Sequence, residues 1–285
     1  IACFPFAWLW LLPGDMKDFS QSAIATVSFV SNFFFWLKTG YFDIEAELKP
    51  LLHTWSLAVE EQYYLFFPFL LYVLLKLQNK FVVSLLITIA MISLLVAQWG
   101  SSHSPAANFF LFPSRLWELL LGAITAIYLF RNTSSYASNK LISEFLSFLG
   151  LAFISIAIFG LTKDTPYPST YTLLPTIGTV LIIVFSNKDM LVGKLLSNWL
   201  LVRIGVISYS AYLWHQPLFA FARYRTLGEL KPITTLILIG ITLLLAYLTW
   251  RLIENPFRRT IKTKPFILTC VCLAAAILIL GILGH

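Results

Sequence analysis

Apolar runs close to twenty residues long recur along this chain, and they limit its fold more than any other feature. Residues 81–99 (FVVSLLITIAMISLLVAQW) contain no Asp, Glu, Lys or Arg. A helix needs about 20 such residues to cross the hydrocarbon core of a bilayer. Comparable runs lie at about 55–75, 114–130, 144–162, 171–187, 205–224, 233–252 and 265–284, separated by Pro, Gly and charge. Residues 1–13 read as part of a further helix, closed by Pro13-Gly14. The stretch 20–38 is ambiguous, because Ser20, Gln21, Ser22, Thr26, Ser28, Ser31 and Asn32 interrupt it. Composition agrees with a lipid-solvated chain. Only 12% of the 285 residues are charged, about half the roughly 25% of an ordinary soluble domain. Mean hydropathy is +0.82. So few charges cannot coat a globule of this size, which excludes a water-soluble enzyme, a DNA-binding protein and a disordered chain. The fold class that remains is an all-α, polytopic transmembrane helix bundle.

The excess of 20 Lys+Arg over 13 Asp+Glu reads as basic loops rather than as a nucleic-acid partner. The Lys and Arg of successive connections alternate between rich and poor. Lys76 and Lys80, then Arg131 and Lys140, then Lys188, Lys194 and Arg203, and last Arg251, Arg258, Arg259, Lys262 and Lys264 form one set of twelve. Lys38, Lys49, Lys163, Arg223, Arg225 and Lys231 form the other set of six, and 100–113 has none. The positive-inside rule puts the richer set in the cytoplasm. Residues 39–54, with Asp43, Glu45 and Glu47, and the C-terminal His285 then lie outside. Cys3, Cys270 and Cys272 fit no zinc or redox spacing and read as small residues in apolar runs. The chain opens on Ile1 within an apolar stretch with no signal-peptide pattern, which reads as a fragment.

Ionisable residues at membrane depth carry a functional hypothesis by default. Three places qualify. In His53-Thr54-Trp55-Ser56-Leu57-Ala58-Val59-Glu60-Glu61-Gln62-Tyr63-Tyr64, His53 and Glu60 share a helix face two turns apart, and Tyr64 extends it. Glu61 is rotated about 100° away. A buried carboxylate there suits orienting an imidazole or binding a hydroxyl; an interfacial aromatic cap is the plainer alternative. In Ser208-Tyr209-Ser210-Ala211-Tyr212-Leu213-Trp214-His215-Gln216-Pro217, the residues Ser208, Tyr212 and His215 form one polar stripe, with Tyr209 and Gln216 beside it. A structural histidine is the plainer reading there. In Pro113-Ser114-Arg115-Leu116-Trp117-Glu118, Arg115 and Glu118 can pair on one face, or Arg115 can meet an anionic substrate group. No metalloprotease, nucleophile-elbow, Walker or dinucleotide motif occurs, and the four histidines are too scattered to suggest a metal.

Residues 50–65, centred on His53-Thr54-Trp55-Ser56-Leu57-Ala58-Val59-Glu60-Glu61-Gln62-Tyr63-Tyr64, resemble the signature of the membrane-bound acyltransferase-3 family. Ser31-Asn32-Phe33, Gly40-Tyr41-Phe42, Pro113–Leu119, Ile207–Pro217 and Glu254-Asn255-Pro256-Phe257-Arg258 match further family blocks in order. The resemblance implies O-acetylation of bacterial surface polysaccharide, lipopolysaccharide or peptidoglycan in the cytoplasmic (inner) membrane. The implied donor is acetyl-CoA, with no bound cofactor, and the implied acceptor a glycan or its lipid-linked precursor. A family fold of about ten helices implies two before Ile1. Those would carry the Arg and the His usually assigned to catalysis, so this piece alone is expected to be inactive. The implied division is an acyltransferase domain over 1–252, a basic cytoplasmic loop over 253–264 and an extra helix over 265–285. That extra helix would lead outward to an SGNH-type domain, so 20–38 should dip in and return rather than cross.

On these terms Glu60, His215 and Tyr212 are the candidate catalytic residues. His53, Trp55, Glu61, Arg115, Glu118 and Ser208 are the candidate substrate-binding ones. Composition alone would suit a transporter or flippase for a lipid-linked sugar equally, and a non-catalytic scaffold is a third reading. Transfer of labelled acetyl from acetyl-CoA separates these.

Overall fold

The computed structural model describes residues 1–38, 47–78, 81–131, 140–162, 164–226, 230–260 and 263–284. Gly40-Tyr41-Phe42, Asp43, Glu45, Lys80, Lys163, Lys262 and His285, which entered the sequence reading, lie outside the described residues. The described residues are helical with no strand, as an all-α membrane chain requires, since each helix satisfies its own backbone groups in lipid. Five helices are long and apolar enough to cross a bilayer: Thr54–Lys76, Val82–His103, Pro105–Arg131, Lys140–Gly160 and Pro232–Arg258. Two of the other expected spans are shorter apolar helices, Thr170–Phe185 and Thr269–Leu283. The chain folds as two compact units, residues 1–58 with 203–285 and residues 59–202.

In the first unit, α1 (Phe4–Trp10) is followed by α2 (Pro13–Val27). Pro13 opens α2 rather than closing α1, because its fixed φ and missing N–H suit a first helical turn. The stretch 20–38 is not one helix. After α2 the backbone reverses at Phe29, whose φ is 56°, and α3 (Ser31–Lys38) begins. Lys38 Nζ then pairs with Asp18 Oδ1 at 2.9 Å, so α3 returns toward the start of α2. Hydroxyl bonds tie the two sides of this reversal to the start of the next helix. Ser31 is fully buried, and its hydroxyl donates to the Thr54 carbonyl (2.9 Å), while the Thr26 and Thr54 hydroxyls share a bond of 2.9 Å.

α4 (Thr54–Gln78) starts in this unit and continues into the second. That second unit contains α5 (Val82–His103), the short α6 (Pro105–Phe110), α7 (Phe112–Arg131) and α8 (Lys140–Gly160). A 3-10 turn, Thr170–Thr172, leads into α9 (Leu173–Phe185), and α10 (Leu191–Leu196) follows. Tyr63, Leu86, Ala97, Trp117 and Leu120 form the buried core of this unit. Ser93 ties α5 to α7 by accepting the Trp117 N–H at 3.1 Å and donating to the Pro113 carbonyl. α8 and α9 meet through Gly150 and Gly178; a Cβ on either would lie 2.6 or 2.7 Å from the other's carbonyl oxygen. At one end of the unit the 98–115 and 167–170 segments join through Gln98–Thr170 (3.0 Å) and Asn108–Pro168 (2.8 Å). At Glu144, the Leu191 N–H joins two connections of the basic set (3.4 Å).

α11 (Trp199–Thr226) runs from the second unit into the first, passing through a buried Pro217. α12 (Pro232–Thr249) continues through a π-helical turn, Trp250–Glu254, into α13 (Asn255–Thr260). Residues 253–260 are therefore helical, because a turn with i→i+5 bonding lets the chain continue without breaking its hydrogen-bond ladder. α14 (Thr263–Leu283) packs on α2 through Gly281, whose missing side chain lets Ile24 approach. Phe4, Ala7, Phe19, Ala23 and Phe221, with Ile277 and Leu280, bury the faces of α1, α2, α11 and α14 that meet.

Candidate active site

The polar chemistry of the first unit is arranged along α11. Tyr212 stands near the midpoint of this 28-residue helix, which is about 42 Å long at 1.5 Å per residue. The segment 47–54 lies antiparallel beside the C-terminal half of the helix. Arg223 pairs with Glu47 at 3.2 Å, Gln216 Nε2 donates to the Lys49 carbonyl at 3.2 Å, and the Tyr212 hydroxyl donates to the His53 carbonyl. His53 is thus carried about 18 Å along α11 from the level of Tyr224. It sits level with the middle of α11 and immediately before the first turn of α4.

At that level four side chains converge. The Tyr212 hydroxyl also shares a hydrogen bond of 2.7 Å with Ser56 Oγ. His53 is 8% exposed, and its Nδ1 has no hydrogen-bond partner among the described residues. Its imidazole meets the Tyr212 ring edge-on at 5.1 Å and the His215 ring at 5.6 Å. His215 Nδ1 lies 2.6 Å from the Tyr212 carbonyl. A carbonyl can only accept, so in the neutral ring Nδ1 carries the hydrogen and Nε2 keeps its lone pair. The cluster therefore offers a proton acceptor, a pair of hydroxyls and a buried imidazole within one wall.

About half a turn from Tyr212 toward the N-terminus of α11, Ser210 is the buried serine and Ser208 the exposed one. Ser208 is exposed and spends its hydroxyl on the Gly205 carbonyl (2.7 Å). Ser210 is 1% exposed and donates to Glu254 Oε2 at 2.9 Å, while Arg258 holds the other oxygen at 3.1 Å. Trp214 Nε1 donates to Thr249 Oγ1 at 2.8 Å. Spacing put Ser208 on the Tyr212–His215 stripe and Ser210 on nearly the opposite face of the helix, and only the position of α12 makes Ser210 the covered serine. The Glu254–Arg258 block was legible as a motif; its contact with Ser210 was not.

Trp55 is half-buried beside Ser56. In the second unit Glu60 is half-buried and Glu61 exposed, as their angular separation requires; Tyr64 is exposed too. Tyr63 is buried and stacks on Phe67 at 4.8 Å. Arg115 is held on several sides: Nη1 reaches both Glu118 oxygens at 3.2 and 3.3 Å, Nε donates to the Phe109 carbonyl, and the Phe109 and Tyr167 rings lie 5.1 and 4.4 Å away. This geometry is that of a buried ion pair in an aromatic box. A groove of about 410 Å³ begins at Glu118 and runs between α7 and α9 past Thr125 and Thr176. No group of three metal-ligating side chains occurs among the described residues.

The order of these elements can be set beside known proteins. The model of the acyltransferase-3 family, described as an acyltransferase domain, matches residues 3–251. The chain belongs to the acyltransferase-3 family. It is a multi-pass membrane protein of that family. A Staphylococcus aureus (strain COL) protein provisionally named an O-acetyltransferase is 30% identical over 264 residues, covering 89% of this chain and 44% of that protein. The O-acetyltransferase OatA of Staphylococcus aureus (strain NCTC 8325) is 29% identical over 256 residues, covering 87% of this chain and 42% of OatA. The chain therefore spans under half the length of these curated relatives. No solved structure matches it.

Proposed function

We propose that this chain is the membrane part of an O-acyltransferase that moves an acetyl group from acetyl-CoA to a hydroxyl of a cell-surface glycan or its lipid-linked precursor. The observation that carries this reading is the His53–Ser56–Tyr212–His215 cluster at the middle of α11, in a family of acyltransferases. In the reaction the acceptor oxygen bonds to the acetyl carbonyl carbon and its proton passes to a base. The carbon–sulfur bond of the thioester breaks, and the departing thiolate takes up a proton. His215 Nε2 is suited to accept the hydroxyl proton. The Tyr212 hydrogen is held by the His53 carbonyl, so Ser56 would serve the oxyanion of the tetrahedral intermediate by turning its hydroxyl hydrogen from the Tyr212 oxygen to it.

His53 and Trp55 line the acceptor side of this cluster. Glu60 is assigned, by family resemblance, to orienting the histidine that the family carries on its first helix, and Glu61 and Ser208 to contacts with substrate. Arg115, with Glu118, is assigned to an anionic part of the donor; Nη1 already meets both Glu118 oxygens, so a donor anion at that nitrogen would displace them. The bacterial cytoplasmic membrane is what membership of the family suggests, and the uneven Lys and Arg distribution turns Arg223 and the C-terminal end of α14 outward. An SGNH-type domain in the same polypeptide would receive or use the acyl group on that side. Supporting this orientation, α14 ends against the N-terminal half of α2, whose Asp15 meets Tyr224.

The test uses the complete protein in membranes supplied with labelled acetyl-CoA. Label should pass to glycan, and His215→Ala should abolish the transfer with normal expression. Full transfer by both His215→Ala and Tyr212→Phe would overturn this site, and absence of any transfer by the wild type would overturn the activity.

A further inference from the structure

A second feature of the first unit lies above the cluster, between the α2–α3 hairpin and the end of α11. It is a cavity of about 220 Å³ whose walls include Asp15, Asp18, Phe34, Leu48, Lys49 and Tyr224. Its polar groups are held in place. The Leu12 N–H donates to the Tyr224 hydroxyl at 2.9 Å, and that hydroxyl donates to Asp15 Oδ2 at 2.7 Å. Asp18 Oδ1 takes the Lys38 ammonium at 2.9 Å. Each carboxylate thus meets one protein donor among the described residues, and an ionised carboxylate has about four acceptor positions. Both retain capacity for hydroxyl donors.

Charge and size narrow what fits. The two carboxylates are balanced by Lys38 and Lys49, so the cavity has no net attraction for an anion or a cation. Its volume is below the roughly 300–1,000 Å³ of drug-sized sites, too small for a nucleotide-bearing thioester but fit for a single ring. Phe34 and Leu48 supply apolar wall opposite the carboxylates. An amphipathic ring with hydroxyls on its edge and C–H groups on its face matches both. Short stretches of chain join the cavity wall to the cluster. Pro50, in its wall, precedes His53 by three residues, and Ser22, also in its wall, lies one turn above Thr26, which bonds Thr54.

We infer that this cavity is a subsite for one uncharged sugar ring of an acceptor glycan, held by Asp15 and Asp18 while a further ring reaches Tyr212 and His215. The inference rests on the acyltransferase reading and adds the place where acceptor is gripped. Because Tyr224 and Asp15 are fixed to one another beforehand, the site needs little ordering when the ring enters.

The test uses the complete protein in detergent, with chitotetraose and maltotetraose as probes. Saturation-transfer NMR should show at least one of them bound, and the Asp15→Asn/Asp18→Asn double variant should lose that signal. In acetyl-transfer assays the same variant, and separately Phe34→Leu, should raise the half-saturating sugar concentration about tenfold and leave that for acetyl-CoA unchanged. Phe34→Leu keeps both carboxylates and the Lys38 pair, so it reads the cavity even if the double variant folds poorly. Binding of neither probe, unchanged sugar dependence, or an equal rise for acetyl-CoA would overturn the subsite. A wild-type protein that binds sugar but transfers acetyl to nothing would overturn the acyltransferase reading instead.

Discussion

The Tyr212 hydroxyl stands between the His53 carbonyl and Ser56 Oγ, joining the middle of α11 to the first turn of α4. Two roles follow from the one position: the hydroxyl holds the 47–54 segment against α11, and it places a donor beside two imidazoles. Tyr212→Phe separates these roles. The His53 carbonyl keeps the Ser56 N–H and hydroxyl as donors, so loss of the tyrosine's bonds should destabilise by roughly 0.5–1.5 kcal/mol each. If the hydroxyl also serves the oxyanion, kcat should fall roughly 10²–10³-fold with KM for acetyl-CoA unchanged. Thermal unfolding in detergent and single-turnover kinetics read the two effects independently.

The His53 and His215 rings, 5.6 Å apart, should be energetically coupled. A double-mutant cycle of His53→Ala and His215→Ala in thermal unfolding is expected to give about 0.5–1.5 kcal/mol, the range of packed ring pairs. Additive effects would mean that the rings pass one another without interaction.

Ser210→Ala should destabilise the first unit by roughly 1.5–3 kcal/mol, because the lost bond is to a charged, largely buried carboxylate. Ser208→Ala, at an exposed position, should be nearly silent. The comparison of melting temperatures for these two variants checks which serine α12 covers.

The α8–α9 contact offers a test in the second unit. Gly150→Ala places a methyl 2.6 Å from the Gly178 carbonyl oxygen, so the helices must part, at a cost of about 1–3 kcal/mol. Gly122→Ala meets nothing within 4 Å and should be neutral or stabilising by up to about 1 kcal/mol. Expression level and unfolding temperature of the two variants should differ accordingly.

The α2–α3 reversal predicts a labelling result. In a cysteine-free background, Lys17→Cys and Leu37→Cys should both react with an impermeant maleimide from the same face of the membrane. Reaction from opposite faces would contradict the Asp18–Lys38 closure.

Much of this protein is readable from residue order because lipid is a demanding solvent. Apolar runs such as 81–99 have few ways to satisfy backbone groups other than a helix, and the His53–Tyr64 and Ile207–Pro217 blocks mark where polar chemistry enters them. Three particulars were not readable. Pro13 can end one helix or begin the next, and local sequence does not say which. Phe29 adopts a positive φ without being a glycine, so nothing in residues 20–38 announced a reversal there. Ser208 and Ser210 differ by two positions on one helix, and burial of Ser210 depends on Glu254, forty-four residues away.

Helix content, the all-α class and the family were determined by the sequence itself, through hydrophobic run length and local motifs that act over a few turns. The meeting of His53, Ser56, Tyr212 and His215, the depth of His53 along α11, and the cavity between Asp15 and Asp18 were decided by tertiary structure. They depend on contacts between residues up to 212 positions apart, and no helical period links such residues; only the packing of one helix on another brings them together.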